Sequence, residues 1–128
     1  MTLKPTRDIL AQYPQIELAY LYGSVARGTE RDASDVDIAV YGKPLSSEQE
    51  DKLLLKLEKI YHRQVQLVQI NRQTNPTFVH QILKYGEPLI VKDQHKKSLF
   101  ETEFQLKYFD QQFLNKAAYQ STKSYLST

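Results

Sequence analysis

The chain has no cysteine. That removes disulfides, thiolate zinc sites and cysteine nucleophiles from consideration. No apolar run approaches the roughly 18 residues that a membrane-spanning helix needs. The first residues, Met-Thr-Leu-Lys-Pro-Thr-Arg-Asp, contain no apolar stretch of the secretory-signal type. Charge of one sign is also scarce: 17 Lys and Arg against 15 Asp and Glu leave a formal net charge of +2. Such a balance does not suit a protein whose main partner is bulk DNA or an anionic membrane. There is no internal repeat, no low-complexity tract and no linker rich in Gly, Pro or Ser. What remains is ordinary for a folded protein: 128 residues, 41% of them apolar and 25% charged. Surface scaling for this mass gives roughly 7,000 Å² folded against roughly 21,600 Å² unfolded, so a real core needs no staples. The expectation is one cytoplasmic domain over residues 1–128, with no membrane contact and no direct DNA binding.

Local patterns set the elements. A short helix is expected from Pro5 to Tyr13, because proline suits a first helical turn. Ile16–Tyr22, rich in β-formers and bounded by Pro14 and Gly23, reads as a strand. Gly23-Ser24 turns the chain, Val25–Arg27 fit a short helical turn closed by Gly28, and Thr29–Ser34 read as loop. Asp35–Tyr41 alternate cleanly, with Val36, Ile38 and Val40 on one face and Asp35, Asp37 and Ala39 on the other. Ser47–Tyr61 carry a helical apolar stripe behind a capping box of Ser47 and Glu50. Gln64–Ile70 return to strand. Asn75-Pro76 open a helix that Gly86 stops. Pro88–Val91 form a short edge strand, and a long helix runs from about Lys96 to about Tyr119. The fold class is therefore α+β: a small mixed sheet with flanking helices, packed mainly on one face, and a long C-terminal helix. The motif-bearing core spans about 14–91 and the C-terminal helical segment about 96–119.

The chemistry concentrates at Gly23-Ser24 and, after ten intervening residues, Asp35-Val36-Asp37. Spacing of two on a strand puts both carboxylates on one face, with Cα atoms about 6.5–7 Å apart. Two neighbouring anions repel unless something offsets them. A divalent cation is the simplest compensation, and hard oxygen ligands favour Mg²⁺ or Mn²⁺. Gly23 at a strand end lets the backbone approach a ligand closely. The N–H groups after it suit phosphate, with Ser24 adding a hydroxyl and Arg27 a guanidinium. A phosphate cradle beside a metal clamp describes a nucleoside triphosphate–Mg²⁺ site. An Asp-x-Asp pair on an edge strand is, taken alone, usually a solvated face; it is the coupling to the Gly-Ser turn that changes the reading.

Leu21-Tyr22-Gly23-Ser24-Val25-Ala26-Arg27-Gly28 through Ser34-Asp35-Val36-Asp37-Ile38-Ala39-Val40 resembles the motif of the minimal nucleotidyltransferases, in the DNA-polymerase-β-like superfamily. The resemblance extends more weakly over Ile16–Val91. It implies transfer of AMP from ATP to a tyrosine of a partner HEPN-domain RNase toxin, with this chain as the antitoxin. It also implies that Gly23 and Ser24 hold the triphosphate, that Asp35 and Asp37 ligate Mg²⁺ (or Mn²⁺) and carry catalysis, and that Arg27 and Ser34 add phosphate or loop-ordering contacts. The chain departs from the pattern on its third strand, Val65-Gln66-Leu67-Val68-Gln69-Ile70. Many small members read Val-Asp-Leu-Val-Asp-Leu there, so Gln66 stands where a third carboxylate is usual. An amide accepts hydrogen bonds but is no base near neutral pH. The alternative is therefore a catalytically weak or inactive antitoxin of this fold that neutralises its toxin by binding.

Other residues carry less. His62, His80 and His95 have no ligand spacing and read as surface or helix residues. Tyr20 and Tyr22 flank the turn, so one of them is a candidate to line the pocket. Lys92–Lys97 is a basic patch, either a solvated helix start or an RNA contact. Phe100, Phe104, Tyr108, Phe109 and Phe113 form an aromatic stripe that packs on the sheet or docks a partner.

Overall fold

The computed structural model describes residues 2–23 and 35–126. Helix α1 (Lys4–Leu10) opens with Pro5 in its first turn and buries Thr6 and Leu10. It is shorter than the Pro5–Tyr13 expected from sequence. After Leu10 the chain tightens into three-residue turns, with Gln12 N–H donating to Ile9 O and Tyr13 N–H to Leu10 O. The Thr6 and Tyr61 hydroxyls share a 2.6 Å hydrogen bond that ties α1 to the next long helix.

Strands β1 (Ile16–Tyr22) and β2 (Val36–Gly42) pair antiparallel, with Tyr22 opposite Asp37 at one end and Ile16 opposite Gly42 at the other. Helix α2 (Ser47–Tyr61) follows. Its capping box sits one residue earlier than Ser47 and Glu50. Ser46 Oγ accepts from Gln49 N–H and Gln49 Oε1 accepts from Ser46 N–H. Both registers satisfy the Ser-x-x-Glu/Gln rule. The observed one leaves Glu50 free to accept a 2.9 Å bond from Gln69 Nε2, while Gln69 Oε1 accepts from Leu45 N–H. Gln69 thus clamps the start of α2 to the sheet.

Strand β3 (Val65–Ile70) lies parallel to β2, as a helical crossover requires. Helix α3 (Pro76–Tyr85) starts at Asn75, whose side chain accepts from Thr77 N–H. Gly86 does end it, but in an extended rather than left-handed conformation. Its need for glycine is room: a Cβ there would overlap Ile82 O and press on Leu21 O. Strand β4 (Glu87–Val91) pairs antiparallel with β1, giving the order β3-β2-β1-β4. Helix α4 (Gln94–Leu126) starts two residues before Lys96 and continues past Tyr119. Asp93 caps it by accepting from His95 and Lys96 N–H.

Helices cover both faces of the sheet, not mainly one. One core joins Ala19, Leu21, Val36, Ile38 and Val40 to Leu10, Leu53 and Leu57 of α1 and α2. The other joins Leu18, Tyr20, Ala39 and Ile70 to Val79, Ile82, Phe100 and Phe104 of α3 and α4. The cause lies in β1, where Leu18 through Leu21 are all buried, so neither face of the central strand tolerates water. The aromatic stripe of α4 divides. Phe100 and Phe104 are 3% and 1% exposed, whereas Phe109 and Phe113 are 54% and 71% exposed. Gln112–Ser121 are exposed throughout.

Candidate functional site

The ladder brings the end of β1 and the starts of β2 and β3 to one end of the sheet. Asp37 pairs across from Tyr22 on one side and lies level with Gln66 on the other. Alternation places Asp35, Asp37, Gln66 and Tyr22 on the face that α3 and α4 cover. Gly23 follows directly, with φ +76°, and a Cβ there would overlap Asp37 Oδ2. Glycine is required twice over, by backbone conformation and by the carboxylate beside it.

The two acids are close enough to be felt electrostatically. Burial, and then the Asp35 charge, raise the Asp37 carboxyl above its ordinary value of 3.8. Burial, and then Asp37, push the Tyr22 hydroxyl up to about 12. Tyr22 meets the Phe78 ring of α3 edge-on at 5.8 Å, which fixes the wall beside Asp37. Of the two candidate tyrosines, Tyr22 is thus the one at the acids. Tyr20 is buried in the core, donates its hydroxyl hydrogen to Glu101 at 3.3 Å, and its pKa is raised, mainly by burial.

Among the described residues no ion pair reaches Asp35 or Asp37. The one hydrogen bond to the pair found there comes from Gln66, whose Nε2 donates to Asp35 Oδ2 at 2.9 Å. Among the same residues no group of three or more His, Cys, Asp or Glu converges to cage a metal. Two neighbouring carboxylates without a cationic partner among the described residues fit the Mg²⁺ pattern, in which one or two protein carboxylates share the ion with substrate phosphates and water. Ser24, Arg27, Gly28 and Ser34 lie outside the described residues. The bond from Gln66 to Asp35 and the approach of Phe78 to Tyr22 were not foreseen from sequence. The first was signalled by the parallel crossover that makes β3 the neighbour of β2.

The secondary candidates find structural uses. Lys92 Nζ donates to Tyr13 O and Pro14 O, Lys96 pairs with Glu17, and Lys97 with Glu101. Three lysines of the basic run thus have partners, while Lys92, His95 and Lys96 stay exposed. His62 caps α2 in the left-handed region, and His80 stacks on Tyr108 at 3.8 Å with parallel rings. No helix among the described residues is long and apolar enough to cross a membrane.

The sequence model described as Polymerase beta, Nucleotidyltransferase matches residues 4–95, more than half of the chain. The chain belongs to this nucleotidyltransferase family. Among solved structures, a chain of a toxin–antitoxin structure with AMP-PNP is similar at 26% identity and TM-score 0.77, covering 96% of this chain and 99% of that one. A chain of the toxin–antitoxin MntA–HepT is similar at 23% identity and TM-score 0.69, covering 94% and 95%. A chain of the tri-AMPylated Shewanella oneidensis HEPN toxin in complex with MNT antitoxin is similar at 22% identity and TM-score 0.68, covering 95% and 99%. No curated protein matches. The likeness extends well beyond the motif, through the nucleotidyltransferase sheet and into the long C-terminal helix.

Proposed function

We propose that this nucleotidyltransferase is the antitoxin of a HEPN-domain toxin and transfers AMP from ATP to a tyrosine of that toxin, acting in the cytoplasm. The observation that carries the reading is the Asp35–Asp37 pair abutting Gly23, which no ion pair reaches among the described residues. It is supported by structural neighbours whose complexes contain AMP-PNP or a tri-AMPylated HEPN toxin. In this reading Asp35 and Asp37 hold Mg²⁺ (or Mn²⁺), and Gly23 and Ser24 receive the triphosphate. Arg27 and Ser34 add contacts to the phosphates or order the loop. The cation would supply charge neutralisation on the triphosphate and on the departing pyrophosphate.

The acceptor oxygen forms a bond to the α-phosphorus in line with the bond to the β-phosphate oxygen. That second bond breaks, and pyrophosphate leaves with its electron pair. The hydroxyl proton passes to solvent or to a phosphate oxygen, since Gln66 carries no base. The chain's own contribution is to orient and to stabilise charge: Gly23 admits the ligand to the strand end, and the Tyr22–Phe78 contact walls one side. The exposed Leu106, Phe109, Phe113 and Leu114 of α4 supply an apolar surface suited to a protein partner.

The amide at Gln66 favours a second reading, an antitoxin that neutralises by binding with little transfer. Labelled ATP, Mg²⁺ and the partner toxin separate the two. Label appearing on the toxin, and lost with Asp35→Ala plus Asp37→Ala, supports transfer. No label with toxin inhibition intact supports binding alone.

A further inference from the structure

The backbone holds the two acids unequally. Asp37 lies inside β2, paired on both sides, with Tyr22 and Gly23 against it. Asp35 precedes the strand, and the β2–β3 register begins only at Val36. What restrains its carboxylate among the described residues is Gln66. The direction of that contact is fixed by chemistry. An ionised carboxylate only accepts, so the glutamine must turn its NH₂ toward Oδ2. Gln66 itself is exposed and contributes nothing to either core.

We infer that Gln66 is a positioning residue. Its amide fixes Asp35 beside Asp37, so that the pair offers two oxygen donors of total charge −2 to a single divalent cation. This rests on the proposed reading of the acid pair as a cation site and adds to it a count of one and a named support. A neutral donor restrains Asp35 without placing a third negative charge beside the two acids. It also leaves no third carboxylate for a second ion among the described residues.

The test is a titration of the full-length chain with Mn²⁺ at saturating non-hydrolysable ATP analogue, followed by electron paramagnetic resonance. The wild type is expected to take up one Mn²⁺ per chain beyond any that the free analogue binds. Gln66→Met, which keeps the length and loses the donor, is expected to weaken uptake by about tenfold, as loss of an outer support does at metal sites. Gln66→Asn, too short to reach Asp35, should match it. Neither should move the melting temperature, because the side chain is exposed. In an Asp35→Ala background, where no acceptor is left for the amide, the Gln66→Met change should cost less than about twofold, since a residue acting through another has nothing further to lose. Wild type that takes up no Mn²⁺ overturns the underlying reading of the acids. Wild-type uptake with unchanged affinity in Gln66→Met overturns this inference alone. So does a tenfold loss that persists beside Asp35→Ala, which would make Gln66 a direct ligand. Two Mn²⁺ per chain would overturn the count.

Discussion

On the face covered by α3 and α4, each of three strands changes character within a few residues. Towards one end Leu18, Tyr20, Ala39 and Ile70 pack against Phe100 and Phe104. Towards the other, the same strands present Tyr22, Asp37 and Gln66, with Asp35 just outside the ladder. The first end loses water to aromatic rings, with Tyr41 at 4.4 Å and Phe104 at 5.0 Å from Phe100. The second holds two carboxylates whose mutual repulsion and partial burial work against the fold. The difference teaches that the packed core and the candidate site share one surface here and are separated by only one or two pleats.

That contrast can be broken at either end. The largest effect is expected from Asp35→Ala with Asp37→Ala. Nucleotide transfer to the partner should fall by at least about 10³-fold, since a divalent ion contributes several kcal/mol to transition-state charge stabilisation. Radiolabel transfer measures it, and the circular dichroism spectrum should be unchanged. Next is the packed end: Phe104→Ala empties a fully buried ring site and should cost about 3–5 kcal/mol in a urea melt.

A smaller effect, of opposite sign, is expected from Asp37→Asn in metal-free protein. The folded carboxyl titrates above its unfolded value. Its contribution is therefore most favourable below the unfolded pKa and is lost as pH rises through the raised one. Asp37→Asn should remove that fall and raise the melting temperature by a few degrees at neutral pH, as calorimetry across pH will report, while abolishing any response to Mg²⁺. The smallest change is expected beyond both ends of the sheet. Phe113→Ser, on the exposed part of α4, should alter stability by less than about 0.5 kcal/mol. Under the proposed function, its effect would appear in partner binding measured by calorimetry.

Much of this was legible in the sequence because the signals are local. Alternation in Val36–Val40, the Asn75-Pro76 start and the Gly23 bend each follow from a few adjacent residues, and the strands fall within one residue of where those signals place them. The errors arise where two local choices are equally good or where a distant group decides. Ser46 and Ser47 both have a suitable partner three residues on, and distant contacts, from Gln69 to Glu50 and from Gln15 to Gln49, favour the observed one. The two-sided covering of the sheet depends on β1 being central, which no residue of β1 announces by itself. The division of the α4 aromatics depends on where the body of the domain stops beneath the helix. At the site, the Asp-x-Asp spacing placed Asp35 and Asp37 on one face, but the contact from Gln66 follows from β3 lying parallel and level with β2. The roles of Ser24, Arg27 and Ser34 stay as proposals.

The place of residue 66 has an evolutionary consequence. It sits on an outer strand, open to solvent, abreast of Asp37 and within reach of Asp35. Exchanging its side chain retunes the electrostatics of the acid pair while leaving both hydrophobic layers untouched. Under the proposed function, single substitutions at residue 66 would shift a lineage between stronger and weaker transfer with the scaffold left as it is.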